Sequence, residues 1–198
     1  MATATEPFAP NGHFYSPVVD VDEVERDHER IWPGTGAESI GIDYNRNGHA
    51  RILASEFPRF LGDYRYPRDE PAGDPTQFYE LNGQYADLDS RVLYVLLRSL
   101  RPGKMIEVGS GFSSLLTADV NRRYLGGSLD FTCIEPYPRQ FLRDGVPGIS
   151  RLIEARIQDV PVESLGLEAG DILFIDSSHV SKTGSDVNHL YFEVLPRL

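Results

Sequence analysis

Residues Lys104 to Leu116 read KMIEVGSGFSSLL, and this stretch decides the fold. A short apolar run from Met105 to Val108 contains one acidic residue, Glu107, and leads into Gly-Ser-Gly at 109–111. An apolar, helix-compatible segment follows. This order predicts a buried strand, a tight glycine turn and the N-terminus of a helix. Because glycines let a backbone approach a ligand and a helix start offers unpaired N–H groups, we expect a loop that cradles a nucleotide-like ligand.

The loop departs from the dinucleotide-binding fingerprint G-x-G-x-x-G. In that fingerprint a third glycine allows close packing of the helix on the strand. Here the third position is Ser114, and an acidic residue, Glu107, lies two residues before the first glycine. Both differences speak against an NAD(P)-dependent oxidoreductase, which stays an alternative at this point.

Composition narrows the class of protein. The chain has 198 residues, 40% hydrophobic and 25% charged, which is typical of a globular protein with a real core. A net charge of −11 argues against nucleic acid as the main partner. The N-terminus lacks a signal-peptide pattern and no apolar run is long enough to cross a membrane, so we expect a cytoplasmic protein without a membrane partner.

Three further apolar runs follow the first, at residues 130–135, 149–154 and 171–176. Helical patterns lie around them, at 87–100, 113–124 and 187–198. Strands that are apolar throughout and alternate with helices indicate a parallel sheet covered on both faces. We therefore predict an α/β fold, a Rossmann-like doubly wound and mainly parallel sheet that ends after the fourth strand and its helix.

Residues 1–77 have a different character, rich in Pro, Gly and Asp. We predict a mostly helical or irregular arm with one helix over Asp20–Trp32, capped by Asp20, and another over Asn45–Leu61, kinked before Pro58. Residues 78–198 form the ligand-binding domain. The aromatic residues near the end of the arm are expected either to form a lid or dimer contact or simply to pack: Tyr64, Tyr66, Phe78, Tyr79 and Tyr85.

Polar residues follow each predicted strand, where open α/β sheets bind their ligands. Glu135 ends the second strand, 24 residues after Gly111. A carboxylate there can accept hydrogen bonds from both hydroxyls of a ribose, and the alternative is a helix cap or a solvated side chain. Gln158 and Asp159 follow the third strand, and Asp176 and His179 follow the fourth.

The strings EVGSGFSS (107–114), CIEP (133–136), QDV (158–160) and FIDSSH (174–179) occur in an order that resembles a class I S-adenosylmethionine-dependent methyltransferase. The resemblance is strongest to uncharacterised bacterial members related to small-molecule O-methyltransferases, and it covers about Phe78 to Leu198. It implies cofactor contacts with the methionine part (Glu107, Gly109, Ser110, Gly111), the ribose (Glu135), the adenine faces (Pro136, Tyr137) and the adenine edge (Gln158, Asp159).

The resemblance implies that Asp176 and His179 face the transferring methyl group. In metal-assisted members an Asp at this place binds a divalent cation such as Mg²⁺, which lowers the pKa of a substrate hydroxyl. His179 is instead suited to act as general base. The alternatives are that Asp176 caps the next turn and that His179 is an ordinary loop residue.

The expected function is therefore O-methylation of a small hydroxylated molecule with S-adenosylmethionine as cofactor. A homo-oligomer is compatible with the sequence. Full members of the fold continue into a fifth strand, and nothing follows Leu198, so we expect a fragment of a longer enzyme. A non-catalytic cofactor-binding or interaction domain is the alternative from a different class.

Overall fold

The computed structural model describes residues 9–13, 16–32 and 43–198, and its contacts divide the chain into two units. The units are Met1–Arg46 and Asn47–Leu198. The rest of the predicted arm, at 1–8, 14–15 and 33–42, lies outside the described residues. The division falls earlier than the expected boundary at residue 77, and that domain boundary stays a prediction.

The first unit contains the helix expected over Asp20–Trp32, in two pieces. These are α1 (Val21–Arg26) and α2 (His28–Ile31). The side chain of Asp20 caps α1 by accepting hydrogen bonds from the N–H groups of Asp22 (3.0 Å) and Glu23 (3.2 Å). Such caps satisfy N–H groups that have no partner inside the helix.

The second unit contains a four-stranded sheet of β1 (Lys104–Val108), β2 (Asp130–Ile134), β3 (Arg151–Ile153) and β4 (Ile172–Ile175). The strand order is β3-β2-β1-β4 and every pairing is parallel. The predicted α/β, Rossmann-like parallel sheet is confirmed. The four apolar runs of the sequence are its four strands.

Both faces of the sheet are covered by core clusters. Because side chains of successive strand residues point to opposite sides, one strand contributes residues to both clusters. Met105 of β1 belongs to one core cluster, whereas Ile106 and Val108 belong to the other. The first cluster contains α5 (Asp87–Leu100), α6 (Phe112–Tyr124) and aromatic residues from 57–78. The second contains the 3₁₀ turns Ile157–Asp159 and Val162–Ser164 and the C-terminal helical segment.

The remaining helices are short or irregular. They are α3 (Arg46–Arg51), a π-helical turn (Ile52–Glu56), α4 (Phe57–Phe60) and a 3₁₀ turn (Leu61–Asp63), then α7 (Gln140–Arg143) and α8 (Asp186–His189), with π-helical (Leu190–Val194) and 3₁₀ (Leu195–Arg197) turns completing the C-terminal segment. The π-helical turn before Pro58 agrees with the predicted kink, because proline lacks the N–H that an α-helix needs there.

Most aromatic residues at the end of the predicted arm pack against α5 and α6. Tyr64 shares a hydrogen bond with Ser90 (2.8 Å), and Tyr66 donates one to Asp119 (2.9 Å). Phe78 is completely buried. The packing interpretation therefore holds for these three residues. In the described part of the chain, no helix has the length and apolar character needed to cross a membrane.

Candidate functional site

A cavity of about 610 Å³ lies at the carboxyl ends of the strands. Its walls come from the loop after β1 (108–113), the loop after β2 (134–137), the turn after β3 (156–158) and the segment after β4 (176–186). Gln84 and Tyr85, just before α5, complete the wall. The volume is in the range of small-ligand sites. The location agrees with that expected for the ligand site of an open α/β sheet.

The two glycines of the β1 loop have different roles. Gly109 has φ +87°, and a Cβ atom there would lie 2.0 Å from the carbonyl oxygen of Asp176. Gly109 is thus required by close contact between the β1 loop and the backbone after β4. A Cβ on Gly111 would meet no atom within 4 Å, and this residue has extended backbone (φ −169°). The side of Gly111 is open for a ligand to approach.

Glu107 lies beneath the loop and is fully buried. The hydroxyl of Ser114 donates a hydrogen bond to Glu107 Oε2 and accepts one from the N–H of Gly111 (3.0 Å). Ser114 therefore replaces the third glycine of the fingerprint with a side chain that ties the loop to the strand. Burial raises the pKa of Glu107 to about 7, because a charged carboxylate is poorly solvated there, although nearby hydroxyls oppose this rise. Glu107 is not part of the cavity wall.

Glu135 joins the loops that follow β1 and β2. Its Oε2 accepts a hydrogen bond from the N–H of Ser110 (3.2 Å), and its Oε1 accepts one from the N–H of Tyr137 (2.8 Å). Ser110, Glu135, Pro136 and Tyr137 all line the cavity. Tyr137 is 84% exposed, so an aromatic face is available beside the carboxylate.

Of the two residues expected at the adenine edge, Gln158 lines the cavity and Asp159 does not. Gln158 lines the cavity and donates a hydrogen bond to the carbonyl oxygen of Gly184 (3.0 Å). Asp159 is not part of the wall, and its carboxylate pairs with Arg156 at 2.8 Å. The pKa of Asp159 is lowered by its hydrogen bond with Arg156.

Asp176 and His179 are in contact, with 3.1 Å between His179 Nε2 and Asp176 Oδ1. Asp176 lines the cavity and its side chain is 32% exposed. His179 is 72% exposed, has a left-handed backbone (φ +58°) and lies outside the cavity wall. Over the described ranges, no three or more His, Cys, Asp and Glu side chains are grouped to hold a metal ion.

Asp186 contributes a further carboxylate to the cavity. It accepts hydrogen bonds from the N–H (2.9 Å) and hydroxyl (2.5 Å) of Ser178. Burial tends to raise the pKa of Asp186, but the hydrogen bonds from Ser178 and the backbone N–H of Val187 outweigh it and lower the pKa to about 2. Its place at the start of the last helix was predictable, but its bonds to Ser178 were not, because they depend on how the intervening loop folds back.

Gln84 is a cavity residue that no sequence pattern indicated. It lies in an irregular segment, where no periodic pattern marks which side chains face inward. Arg139 donates a hydrogen bond to Gln84 Oε1 (2.9 Å), and its guanidinium lies over the ring of Phe112. Only the folded chain brings these three residues together.

Residues 106–198 match the family model described as a methyltransferase domain. An uncharacterised protein of Archaeoglobus fulgidus is 34% identical over 157 residues, covering 76% of this chain and 69% of the relative. The chain belongs to the methyltransferase domain family. The part matched to this methyltransferase family contains all four loops that follow the strands, whereas Gln84 and Tyr85 precede it. The comparison with solved structures gave no match.

Proposed function

We propose that this methyltransferase domain uses S-adenosylmethionine to methylate a hydroxyl group of a small molecule. One observation carries the proposal. A single cavity has the glycine loop, Glu135 and Tyr137 on one side and Asp176 on another. A donor bound along the first set would bring its reactive end toward the second, since the loops after β1 and β4 meet at Gly109.

The residues present fit the donor. Each carboxylate oxygen of Glu135 receives one backbone N–H and retains a lone pair that can accept a ribose hydroxyl. The exposed ring of Tyr137 offers a surface for a purine, and Gly111 leaves room for close approach to the backbone. The sulfonium of the donor supplies the electrophilic methyl group, so the protein mainly positions the reactants and removes one proton.

His179 and Asp176 are suited to proton removal. An imidazole that donates from Nε2 to Asp176 keeps Nδ1 free to accept the proton of an acceptor hydroxyl. In this role Asp176 orients the imidazole. The proposal includes no metal ion. It favours a small acceptor over a nucleic acid because a net charge of −11 repels a polyanion.

Calorimetric titration of the chain with S-adenosylmethionine, and separately with NAD, tests donor binding. We expect saturable binding of S-adenosylmethionine alone, weakened at least about tenfold in Glu135→Ala by loss of the ribose hydrogen bonds. Glu163→Ala is the matched control, since Glu163 is exposed and lies outside the cavity. Binding of NAD in preference would instead support the oxidoreductase alternative.

Transfer of a labelled methyl group to a panel of phenols and aliphatic alcohols separates an enzyme from a non-catalytic binding domain. We expect His179→Gln to reduce transfer about 100-fold while leaving the affinity for S-adenosylmethionine unchanged, because a general base acts only on the acceptor. A chain that binds the donor but methylates no hydroxyl compound would support the non-catalytic alternative.

A further inference from the structure

Glu107 is placed to act on the cavity without lining it. It is fully buried on β1, and through Ser114 it is connected to the N–H of Gly111 on the loop above. Its second oxygen, Oε1, has no hydrogen-bond partner among the described residues. The hydroxyl of Ser110, in the same loop, is also buried there without a partner. Burying a carboxyl oxygen without a hydrogen-bond partner is costly, so its presence here calls for an explanation.

Among the residues that the structure describes, those packed around Glu107 provide no compensating positive charge. On β2 its neighbour is Cys133, with 3.6 Å between Sγ and Glu107 Oε2, and on β4 its register partner is Phe174. The helix α6 contributes Ser113 and Ser114. Burial raises the pKa of the Cys133 thiol, so it stays neutral near pH 7.

Other titratable groups lie at the rim of this environment. Burial raises the pKa of Tyr85, which also feels the charges of Asp176 and Glu107, so this phenol stays neutral. The remaining titratable or charged groups at the cavity are Glu135, Tyr137, Arg156, Asp176 with its partner His179, Lys182 and Asp186.

We propose that Glu107 is a positioning residue whose negative charge, present only in its deprotonated form, lets the site discriminate the sulfonium donor from its neutral thioether product. The inference rests on the proposed function, because it requires S-adenosylmethionine in this cavity. The donor carries one more positive charge than S-adenosylhomocysteine. A charge beneath the loop, shielded from water, attracts that extra charge and has little effect on the product.

The burial of Glu107 moves its protonation change into a pH range in which binding can be measured. Its pKa of about 7 means that it passes from mostly protonated at pH 6 to mostly ionised at pH 8. We expect the ratio of affinities, donor over product, to increase about tenfold across this range, the effect of a unit charge acting through a partly desolvated interior. Because coupling is reciprocal, donor binding near pH 7 must release protons from Glu107.

Calorimetric affinities for S-adenosylmethionine and S-adenosylhomocysteine at pH 6, 7 and 8 test the proposal. The sulfonium lowers the pKa of the donor's own amino group relative to that of the product, so the ratio has a pH dependence of its own, which the comparison with Glu107→Gln removes. We expect the ratio to rise about tenfold more from pH 6 to pH 8 in the wild-type chain than in Glu107→Gln, and to keep the wild-type pH dependence in His179→Gln. The last variant excludes the exposed imidazole as the source.

A second measurement counts the protons released on binding. Donor binding at pH 7 in two buffers of different ionisation enthalpy reports this number, and we expect more release from the wild-type chain than from Glu107→Gln. An affinity ratio with the same pH dependence in these two proteins, or equal proton release from them, would overturn the proposal. Failure of both ligands to bind the wild-type chain at any pH would contradict the proposed function itself, and this inference with it.

Discussion

Glu107 and Asp186 are two carboxylates held by serine side chains, yet their pKa values move in opposite directions. Glu107 is buried beneath the β1 loop with a pKa raised to about 7, whereas Asp186 lines the cavity with a pKa lowered to about 2. Ser114 donates to the first and Ser178 to the second. Hydrogen bonds from serine therefore do not by themselves decide the charge of a carboxylate.

The two carboxylates differ in their access to solvent and in the number of hydrogen-bond donors around them. Asp186 receives both the hydroxyl and the N–H of Ser178 and retains contact with solvent, so its charged form is well stabilised. Glu107 has no access to solvent, and one of its oxygens has no hydrogen-bond partner in the part of the chain that the structure describes. The same type of side chain thus yields a fixed charge in the cavity wall and, beneath the β1 loop, a charge that changes near neutral pH.

The largest expected effect on stability concerns the contact at Gly109 between the β1 loop above Glu107 and the segment after β4 that contains Asp186. Gly109→Ala places a Cβ 2.0 Å from the Asp176 carbonyl oxygen in a left-handed backbone, so we expect a loss of about 4 kcal/mol or more in the free energy of unfolding. Gly111→Ala is the control, with open space and extended backbone, and should change stability by less than about 0.5 kcal/mol. Urea denaturation measures both, and equal losses would show that the Gly109 contact is not tight.

Glu107→Gln tests the cost of the buried charge. Since the folded pKa is above the ordinary 4.5, the folded state holds the proton more tightly, so stability is fully present below about pH 4.5 and is lost as pH rises through about 7. The rise in the pKa of Glu107 from 4.5 to about 7 corresponds to about 3 kcal/mol in the free energy of unfolding. Denaturation of both proteins from pH 4.5 to 8 should show the variant gaining about that much relative to wild type. A constant difference would mean that Glu107 does not titrate in this range.

Ser114→Ala should cost about 2 kcal/mol, because it leaves the Gly111 N–H and Glu107 Oε2 without this hydroxyl. Thr117→Val on the same helix is the matched control. The hydroxyl of Thr117 is buried with no partner among the described residues, so replacing it with a methyl group should be neutral or stabilising. The order of the two variants in urea denaturation is the result to check, and a reversed order would contradict the role of Ser114.

Asp186→Asn has the smallest expected effect. The folded pKa is below the ordinary 3.8, so the carboxylate contributes stability above about pH 3.8 that is lost as pH falls through about 2. After discounting for solvent screening we expect about 1 kcal/mol at pH 7. Thermal unfolding at pH 7 and pH 2 should show this difference at the higher pH alone. A loss at pH 2 as well would indicate a packing role.

Apolar runs predicted the four strands because parallel strands are buried on both faces, and the helix at Asp87–Leu100 followed from its periodicity and Pro102. The bond between Ser114 and Glu107 was not predictable, since the sequence shows only that a glycine is missing. Gln84 was missed because an irregular segment has no period that marks its inward side. The helical pattern at 187–198 predicted a helix there, but its apolar residues are only partly buried: Leu190 and Val194 are buried, whereas Tyr191 and Leu198 are exposed.

The most direct test is a carboxyl carbon-13 NMR titration of the folded chain, with Glu107→Gln and Asp186→Asn used to assign the two signals. We predict a midpoint near pH 7 for Glu107 and near pH 2 for Asp186, and a lower midpoint for Glu107 when S-adenosylmethionine, but not S-adenosylhomocysteine, is bound. A Glu107 midpoint at the ordinary value of about 4.5, or one that both ligands shift equally, would contradict the account.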